Sequence, residues 1–294
     1  MKEQFNKVLN DISNIVGRNK SFNHKLKNGL FNIYWGVKIN NVLDFKIIFI
    51  LNKIIELLKL GHTITILIAD IHTILDAKIN TIDSNTKLSI NANAKLFINN
   101  LNSLLDAYNL SEEERNKINI IKGSEFQLDS SYILDMYKLI SIYGPIKDYC
   151  NEFELDINDI SFKNILHPIL QTLDEEHLKK FTCNDIDCQI GYSFNIKQHA
   201  FSKKSMVKLG YKAKTYILYN IPSNLITNPL YINSHNLISI LYTLDTETLD
   251  FIINTLLDNA KLKKILIEKD INLLNTIEHK CDIIINLKQK LCLI

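Results

Sequence analysis

The chain has 294 residues, of which 46% are hydrophobic and 22% are charged, as in an ordinary globular protein. Glycine (8) and proline (4) are scarce, which argues against a disordered or low-complexity chain. A formal net charge of +2 does not call for a nucleic-acid partner, and no apolar run approaches the roughly 18 residues of a membrane span. We therefore expect a cytoplasmic protein without a membrane partner.

Helical and extended patterns alternate along the first 220 residues. The β-branched run "HTITILIAD" is typical of a strand that is buried on both faces, and Gly61 before it closes a helical stretch. Alternation of this kind predicts right-handed βαβ units and a parallel sheet. Helices are predicted at 3–16, 43–60, 87–108, 130–144, 167–180 and 195–210, and strands at 30–36, 62–70, 118–123, 185–191 and 213–220.

The remaining residues differ from this pattern. The stretch 221–234 contains two of the four prolines and is the most loop-like part of the chain, while 235–294 shows helical periodicity only. We predict a boundary near 233. An α/β domain over 1–233 with a Rossmann-like sheet would then be followed by a short all-helical domain over 234–294.

The helix predicted at 167–180 carries polar residues beside an apolar stripe. Pro168 suits a first helical position. His167, Gln171 and Asp174 are spaced so that they share one face. The spacing alone leaves two interpretations open, a polar rim facing solvent or the lining of a pocket.

The cysteines do not predict a disulfide framework, because their number is odd and their spacing irregular. One pair could supply half of a zinc site, but the other has no metal-ligand spacing, so no metal centre is predicted. Free cysteines in a reducing compartment fit the pattern better. The five are Cys150, Cys183, Cys188, Cys281 and Cys292.

Five stretches together resemble tyrosyl-tRNA synthetases of the archaeal and eukaryotic type, which are class I aminoacyl-tRNA synthetases. They occur in the family's order with similar spacing, and the resemblance covers roughly residues 1–220. The pair "ADIH" and "PILQTLDEEHL" carries most of the specificity. The stretches are "IYWG" (33–36), "ILIADIHTILD" (66–76), "IIKGSEFQLDSSYILDMYKL" (120–139), "HPILQTLDEEHL" (167–178) and "DCQIG" (187–191).

The resemblance implies a tyrosine pocket. Tyr34 and Asp174 would meet the phenol of the amino acid, and Gln171 and Gln189 would face its amino group. The family has a tyrosine where this chain has His167, which would also border the pocket. Further pocket positions implied by the same motifs are Gly36, Ala69 and His72.

The elements that bind ATP in the family are altered here. The HIGH-type motif corresponds to Asp44, Phe45, Lys46 and Ile47, and a carboxylate at its first position would repel a triphosphate. The motif Gly-Gly-x-Asp-Gln corresponds to "GYSFN" (191–195), with Tyr192 and Phe194 at two altered positions. The KMSKS-type loop corresponds to "PLYINS" (229–234), which contains no lysine.

These departures favour a homologue without ligase activity that keeps a partial tyrosine pocket and the family's homodimer surface, expected at 118–145. An active tyrosine–tRNA ligase that uses ATP with magnesium is the alternative; otherwise no cofactor is expected. A third interpretation is an interaction protein that keeps only the fold. The predicted helical tail of about sixty residues is short beside the family's anticodon-binding domain, which does not favour tRNA binding.

Overall fold

A computed structural model describes residues 12–18, 20–39, 45–76, 84–108, 110–143, 145–153, 156–158, 160–182 and 185–221. The chain divides into two compact units. The first comprises 1–39, 54–98 and 112–220, and the second comprises 40–53, 99–111 and 221–294. The predicted boundary at 233 and the predicted helical domain lie outside the described residues.

The described elements alternate between strands and helices, as the sequence predicts. The strands are β1 (Ile12–Val16), β2 (Asn32–Lys38), β3 (Thr63–Ala69), β4 (Ile118–Lys122), β5 (Cys188–Tyr192) and β6 (Thr215–Tyr219). The helices are α1 (Lys20–Asn28), α2 (Phe45–Lys59), α3 (Asp70–Asp76), α4 (Ser84–Ala107), α5 (Glu112–Arg115), α6 (Ser130–Ile142), α7 (Ile146–Phe153), α8 (Phe162–His177) and α9 (Ile196–Leu209).

The six strands form one sheet in the order β1-β6-β5-β2-β3-β4. Strands β2 to β6 are all parallel to one another, and β1 runs antiparallel to β6 at one edge of the sheet. The fold is therefore α/β, with a mostly parallel sheet of the Rossmann-like kind. None of the helices in the described stretches is both long and apolar enough to cross a membrane.

Two local predictions are wrong. Residues 12–16 are not the end of a helix but strand β1, because pairing with β6 overrides the helical spacing of the apolar residues. Helix α8 begins at Phe162, with Ser161 as its N-cap accepting from the backbone NH of Asn164, so Pro168 lies inside the helix. The proline removes one backbone donor there, and the helix continues nonetheless.

The core that positions the site lies on one face of the sheet. Alternate residues of the central strands point to this face, among them Tyr34 of β2 and Leu67 of β3. They pack with apolar residues of three helices, including Leu139 of α6, Leu173 of α8 and Phe201 of α9. The opposite face carries further buried side chains, so the strands are apolar almost throughout, as is usual in a parallel sheet covered on both sides.

Candidate functional site

A row of polar side chains crosses the sheet beneath helix α8. Tyr34 is the register partner of Thr65 on β3 and of Gln189 on β5, and Gln189 is the partner of Tyr216 on β6. Paired residues in a parallel ladder point to the same face, so all four side chains lie on the α8 side. The four are buried, and Oγ1 of Thr65 and Oε1 of Gln189 have no hydrogen-bond partner among the described residues.

Two adjacent acidic residues of α8 lie against this row. Asp174 is 1% exposed and Glu175 is fully buried. The hydroxyl of Tyr216 donates to Oε2 of Glu175 over 2.7 Å. Asp174 is one of the two residues that the resemblance assigns to the phenol of a tyrosine, and Glu175 is its neighbour in the chain.

Asp174 is held by three donors. Nε2 of Gln127 donates to Oδ1 of Asp174 over 2.6 Å, and the hydroxyl of Tyr132 donates to the same oxygen over 2.8 Å. Nε2 of His72 lies 3.2 Å from Oδ2, and the carboxylate, which can only accept, makes that nitrogen the donor. A carboxylate has about four acceptor positions, so roughly one is left for a further hydroxyl.

His72 also contacts His167, which stands where the resemblance implies a tyrosine. Its Nδ1 lies 3.5 Å from Nε2 of His167, and the two rings are nearly perpendicular, at 82°. His72 is buried, whereas His167 is half-buried. The predicted residues His72, His167 and Asp174 therefore form one connected group.

The other residues that are predicted to line the tyrosine pocket make fewer polar contacts. Gly36 lies under the ring of Tyr34, and a Cβ at position 36 would lie 2.6 Å from the Tyr34 hydroxyl, so glycine fits this contact. Ala69 is buried at the end of β3, immediately before α3. Gln171 is half-buried on α8, one turn from His167.

The buried charges change the ionisation of their neighbours. Burial raises the pKa of Tyr34 well above its ordinary value, and the nearby charges of Asp174 and Glu175 raise it further. Tyr34 therefore keeps its proton and can donate it. Burial also raises the pKa of Glu175 to about 8, against the opposing effects of the Tyr216 hydrogen bond and of Lys214. Glu175 is thus mainly neutral near pH 7.

The stretch 191–195 is built from aromatic packing. The rings of Tyr192 and Phe194 stack almost in parallel, with centroids 5.2 Å apart and 7° between their planes, and Phe194 is exposed. Gly191 is buried, and a Cβ at this position would lie 2.7 Å from Nε2 of His199. The bulky side chains expected at 192 and 194 are present. The group that lies close to Gly191 is the side chain of His199.

The HIGH-type position is only partly described. Phe45 begins helix α2, Lys46 is half-buried and Ile47 is buried, all within the second unit. Asp44 and the stretch 229–234 lie outside the described residues. The structure therefore leaves the altered ATP motifs at 44 and 229–234 as predictions.

Two residues of the site are missing from the sequence prediction. Gln127 and Tyr132 both lie in the stretch 120–139 that carries the resemblance, but spacing alone gave neither a role. The contact of Tyr132 with Asp174 depends on α6 packing against α8, which a local pattern does not reveal, and Gln127 lies in the turn before α6. A glutamine followed five residues later by a tyrosine is the available sequence signal, and it is weak.

Other features of the described residues lie apart from this group. No cluster of three or more histidine, cysteine, aspartate or glutamate side chains in these stretches could hold a metal ion. A surface cavity of about 310 Å³ is lined by residues that include Asp135, His177 and Tyr211, and by none of the predicted tyrosine residues.

Comparison with known proteins identifies the family of the chain. The family described as tRNA synthetases class I (W and Y) matches residues 28–191, more than half of the chain. The cytoplasmic tyrosine–tRNA ligase of Gallus gallus is 26% identical over 219 residues, covering 74% of this chain and 39% of that protein. The chain thus spans well under half the length of this relative.

Solved structures show the same fold. Tyrosyl-tRNA synthetase from Aeropyrum pernix superposes with a TM-score of 0.66 at 14% identity, covering 94% of this chain and 93% of that one. The enzyme from Archaeoglobus fulgidus, complexed with L-tyrosine, gives a TM-score of 0.61 at 18% identity, covering 86% and 73%. From the family match and these relatives together, the chain belongs to the class I tRNA synthetases of the tryptophan and tyrosine family and is of the tyrosyl-tRNA synthetase type.

Proposed function

We propose that this protein binds tyrosine in the pocket around Asp174 and does not act as a tyrosine–tRNA ligase. The observation that carries the proposal is the hydrogen bonding of Asp174, whose three donors fix the carboxylate and leave about one acceptor position for a phenol. Tyr34, which keeps its proton, lies beside it and supplies a donor.

The polar row on the sheet supports binding of a whole amino acid. Oε1 of Gln189 and Oγ1 of Thr65 are buried without a partner among the described residues. Buried polar atoms in this state cost free energy, which a bound ammonium group would relieve. Gln189 is also the residue that the family resemblance assigns to the amino-group end.

Selectivity for tyrosine follows from the same arrangement. Phenylalanine lacks the hydroxyl, so its binding would leave the buried Asp174 with an unused acceptor and no compensating contact. Tyrosyl-tRNA synthetases are the standard example of this kind of discrimination. We therefore expect measurable tyrosine binding and much weaker phenylalanine binding.

The residues at the nucleotide end do not support adenylate formation. Phe194 cannot accept a hydrogen bond from a ribose hydroxyl, and the Tyr192–Phe194 stack adds bulk where the family's motif is small. Asp44 would place a negative charge at the HIGH-type position, and 229–234 offers no lysine for pyrophosphate. Loss of a single charge-stabilising group commonly costs about 10²–10³ in rate, and three elements are altered together.

An active ligase is the second candidate, because the matched relatives carry that name. It requires other phosphate contacts, for which Lys38 and Lys46 are candidates by sequence. Tyrosine-dependent exchange between ATP and pyrophosphate decides between the two, with a competent synthetase as the positive control. No exchange supports the proposal. Exchange above background, abolished by Lys38→Ala with Lys46→Ala, would establish the ligase.

Binding is tested separately by calorimetric titration with tyrosine. We expect a single binding site for tyrosine, with phenylalanine at least tenfold weaker. An Asp174→Asn variant, which keeps the size of the side chain but loses the charge, should bind tyrosine at least tenfold more weakly than the parent. The absence of heat at millimolar tyrosine would reject the pocket and leave the interaction protein that keeps only the fold.

We also propose that the protein pairs with a second copy through α6. Leu134, Tyr137 and Ile140 are spaced three residues apart on this helix and are exposed, whereas Tyr132 and Leu139 are buried. A symmetric dimer would cover the same patch on both copies. Light scattering should give a dimer that Leu134→Asp converts to monomer. An unchanged mass in the variant would refute this surface.

We place the protein in the cytoplasm, as in the names of its relatives.

A further inference from the structure

We propose that Glu175 is a further specificity-determining residue of the tyrosine pocket, in which its protonated carboxyl group donates a hydrogen bond to the phenol oxygen of the bound amino acid. The inference rests on the proposed binding of tyrosine at Asp174, and it adds a second donor to the phenol end of that site. Glu175 is fully buried and directly follows Asp174 on α8, so both carboxyl groups come from the same helical turn.

The contacts of Glu175 leave one of its two oxygens unused. The hydroxyl of Tyr216 donates to Oε2 over 2.7 Å, and Ser202 also hydrogen-bonds with this side chain. Oε1 is buried and has no hydrogen-bond partner among the described residues. A neutral carboxyl group accepts on its carbonyl oxygen and donates from its hydroxyl. Because Oε2 accepts from Tyr216, the proton belongs on Oε1, where it can be donated to a ligand.

The surroundings of Glu175 favour the neutral carboxyl group. Burial raises the pKa of Glu175 to about 8, and the charge of Asp174 adds to this rise. The hydrogen bonds of Tyr216 and Ser202 and the charge of Lys214 act in the opposite direction and do not cancel the effect of burial. Most molecules therefore carry the proton on Glu175 near pH 7.

The other titratable groups around Glu175 do not supply a free positive charge. On α8, Oε2 of Glu176 lies 3.9 Å from Nζ of Lys214, so this cation faces two carboxyl groups. On α9, His199 packs against the ring of Tyr216, with centroids 4.8 Å apart. Burial lowers the pKa of His199 to about 4, so its imidazole is neutral near pH 7.

Tyr34 on β2 links the two carboxyl groups of the site. Burial raises the pKa of Tyr34 most, and the charges of Asp174 and Glu175 both raise it further, so its hydroxyl lies close to both. A phenol has one proton to donate, and its oxygen can also accept. Bound tyrosine would donate its proton to Asp174, and its oxygen would accept from Tyr34 and from Glu175. A carboxyl group kept neutral by its surroundings acts as a donor of this kind in enzyme active sites.

Ionisation of Glu175 would remove this hydrogen bond. A carboxylate can only accept, so it would face the lone pairs of the phenol oxygen and place a second negative charge beside Asp174. Tyrosine would therefore bind to the protein that carries the proton on Glu175. The affinity for tyrosine should fall as the pH rises through about 8.

The test is calorimetric titration of the full-length protein with tyrosine at about pH 7 and about pH 9. With a pKa of about 8, roughly one molecule in ten keeps the proton at about pH 9, so the parent should bind tyrosine about tenfold more weakly there. Glu175→Gln keeps a donor in its amide and does not ionise. It should bind as the parent does at about pH 7 and lose less affinity at about pH 9.

The comparison between proteins isolates Glu175, because ionisation of free tyrosine affects every variant equally. Glu113→Gln, which changes an exposed residue of α5, is the matched control and should follow the parent at both pH values. Glu175→Met has neither the donor nor the charge. It should bind tyrosine at least tenfold more weakly than the parent at about pH 7, with little change for phenylalanine.

Equal pH dependence of tyrosine affinity in the parent and in Glu175→Gln would overturn the proposal and leave tyrosine binding in place. Full tyrosine affinity in Glu175→Met would also overturn it, and the glutamine variant decides if the methionine variant does not fold. A parent protein that binds no tyrosine at about pH 7 would instead reject the pocket itself. The failure of this inference is therefore distinguishable from the failure of the proposed function.

Discussion

The hydroxyl of Tyr132 lies 2.8 Å from Oδ1 of Asp174 and 2.9 Å from the carbonyl oxygen of Leu170. One proton thus faces two buried acceptors on α8, both of which come from a helix that is distant in sequence. The contact joins the helix proposed for pairing to the carboxylate proposed for tyrosine recognition. Tyr132 is therefore a positioning residue for Asp174.

Tyr132→Phe should lower both stability and tyrosine affinity. A buried hydrogen bond to a charged group is worth about 1.5–3 kcal/mol, and the variant keeps the ring while removing the donor. Urea denaturation should show a loss in this range, and calorimetry should show weaker tyrosine binding. Tyr137→Phe is the matched control on the exposed side of α6, and a comparable loss there would contradict the role given to Tyr132.

Asp174→Asn should remove the preference for tyrosine over phenylalanine. The amide replaces one acceptor oxygen with a donor, which then faces either His72 or the pair Gln127 and Tyr132. Calorimetric titration with both amino acids should show tyrosine affinity falling at least tenfold. Phenylalanine affinity should change little. Retained discrimination would place the phenol elsewhere.

Glu175→Gln should change how stability depends on pH. The pKa of Glu175 rises from 4.5 to about 8 on burial, so the folded state binds more protons than the unfolded chain between these values. The parent therefore loses stability as pH rises through this window, and the loss levels off above pH about 8. The glutamine variant lacks that contribution, so its free energy of unfolding should increase relative to that of the parent as pH rises.

Urea denaturation at about pH 5 and about pH 8 measures the effect. The unfolding free energy of Glu175→Gln minus that of the parent should be larger at the higher pH. Asp185→Asn, which changes an exposed carboxylate, is the control and should show no such trend. A difference that does not change with pH would mean that Glu175 ionises in the folded protein as it does in the unfolded chain.

Gly191→Ala should destabilise the protein through His199. The added Cβ would lie 2.7 Å from Nε2 of the histidine and 3.3 Å from Cδ2 of Leu218, and overpacking of this kind costs about 1–3 kcal/mol. His199→Ala makes room, so the double variant should lose less than the sum of the two single changes. Additive losses in urea denaturation would show that the contact with His199 is not the cause.

The central strands could be predicted from sequence because their apolar runs satisfy both faces of a parallel sheet. Residues 63–69 form β3, as the β-branched run indicates. The strand at residues 12–16 could not be predicted, because its extended form depends on pairing with β6, which lies far away in the sequence. Helical spacing is a local signal and carries no information about a distant partner strand.

The residues of the site also divide into those that could be predicted from the sequence and those that could not. Asp174 and His167 could be predicted because they share a helix face and because a family motif contains them. The contact between His72 and Asp174 joins α3 to α8, and the donors Gln127 and Tyr132 come from other segments. The start of α8 was misjudged because Pro168 is tolerated inside a helix whose N-cap is Ser161.

Strand β1 protects the edge of the sheet. It covers β6, whose sequence "TYILY" is apolar, rich in β-forming residues and free of charge and proline. A chain that began after Gly17 would present that edge as a template for strands of other molecules. Strand β1 thus covers the backbone hydrogen-bonding groups along one side of β6, and we expect a variant that lacks residues 12–17 to aggregate more readily than the parent.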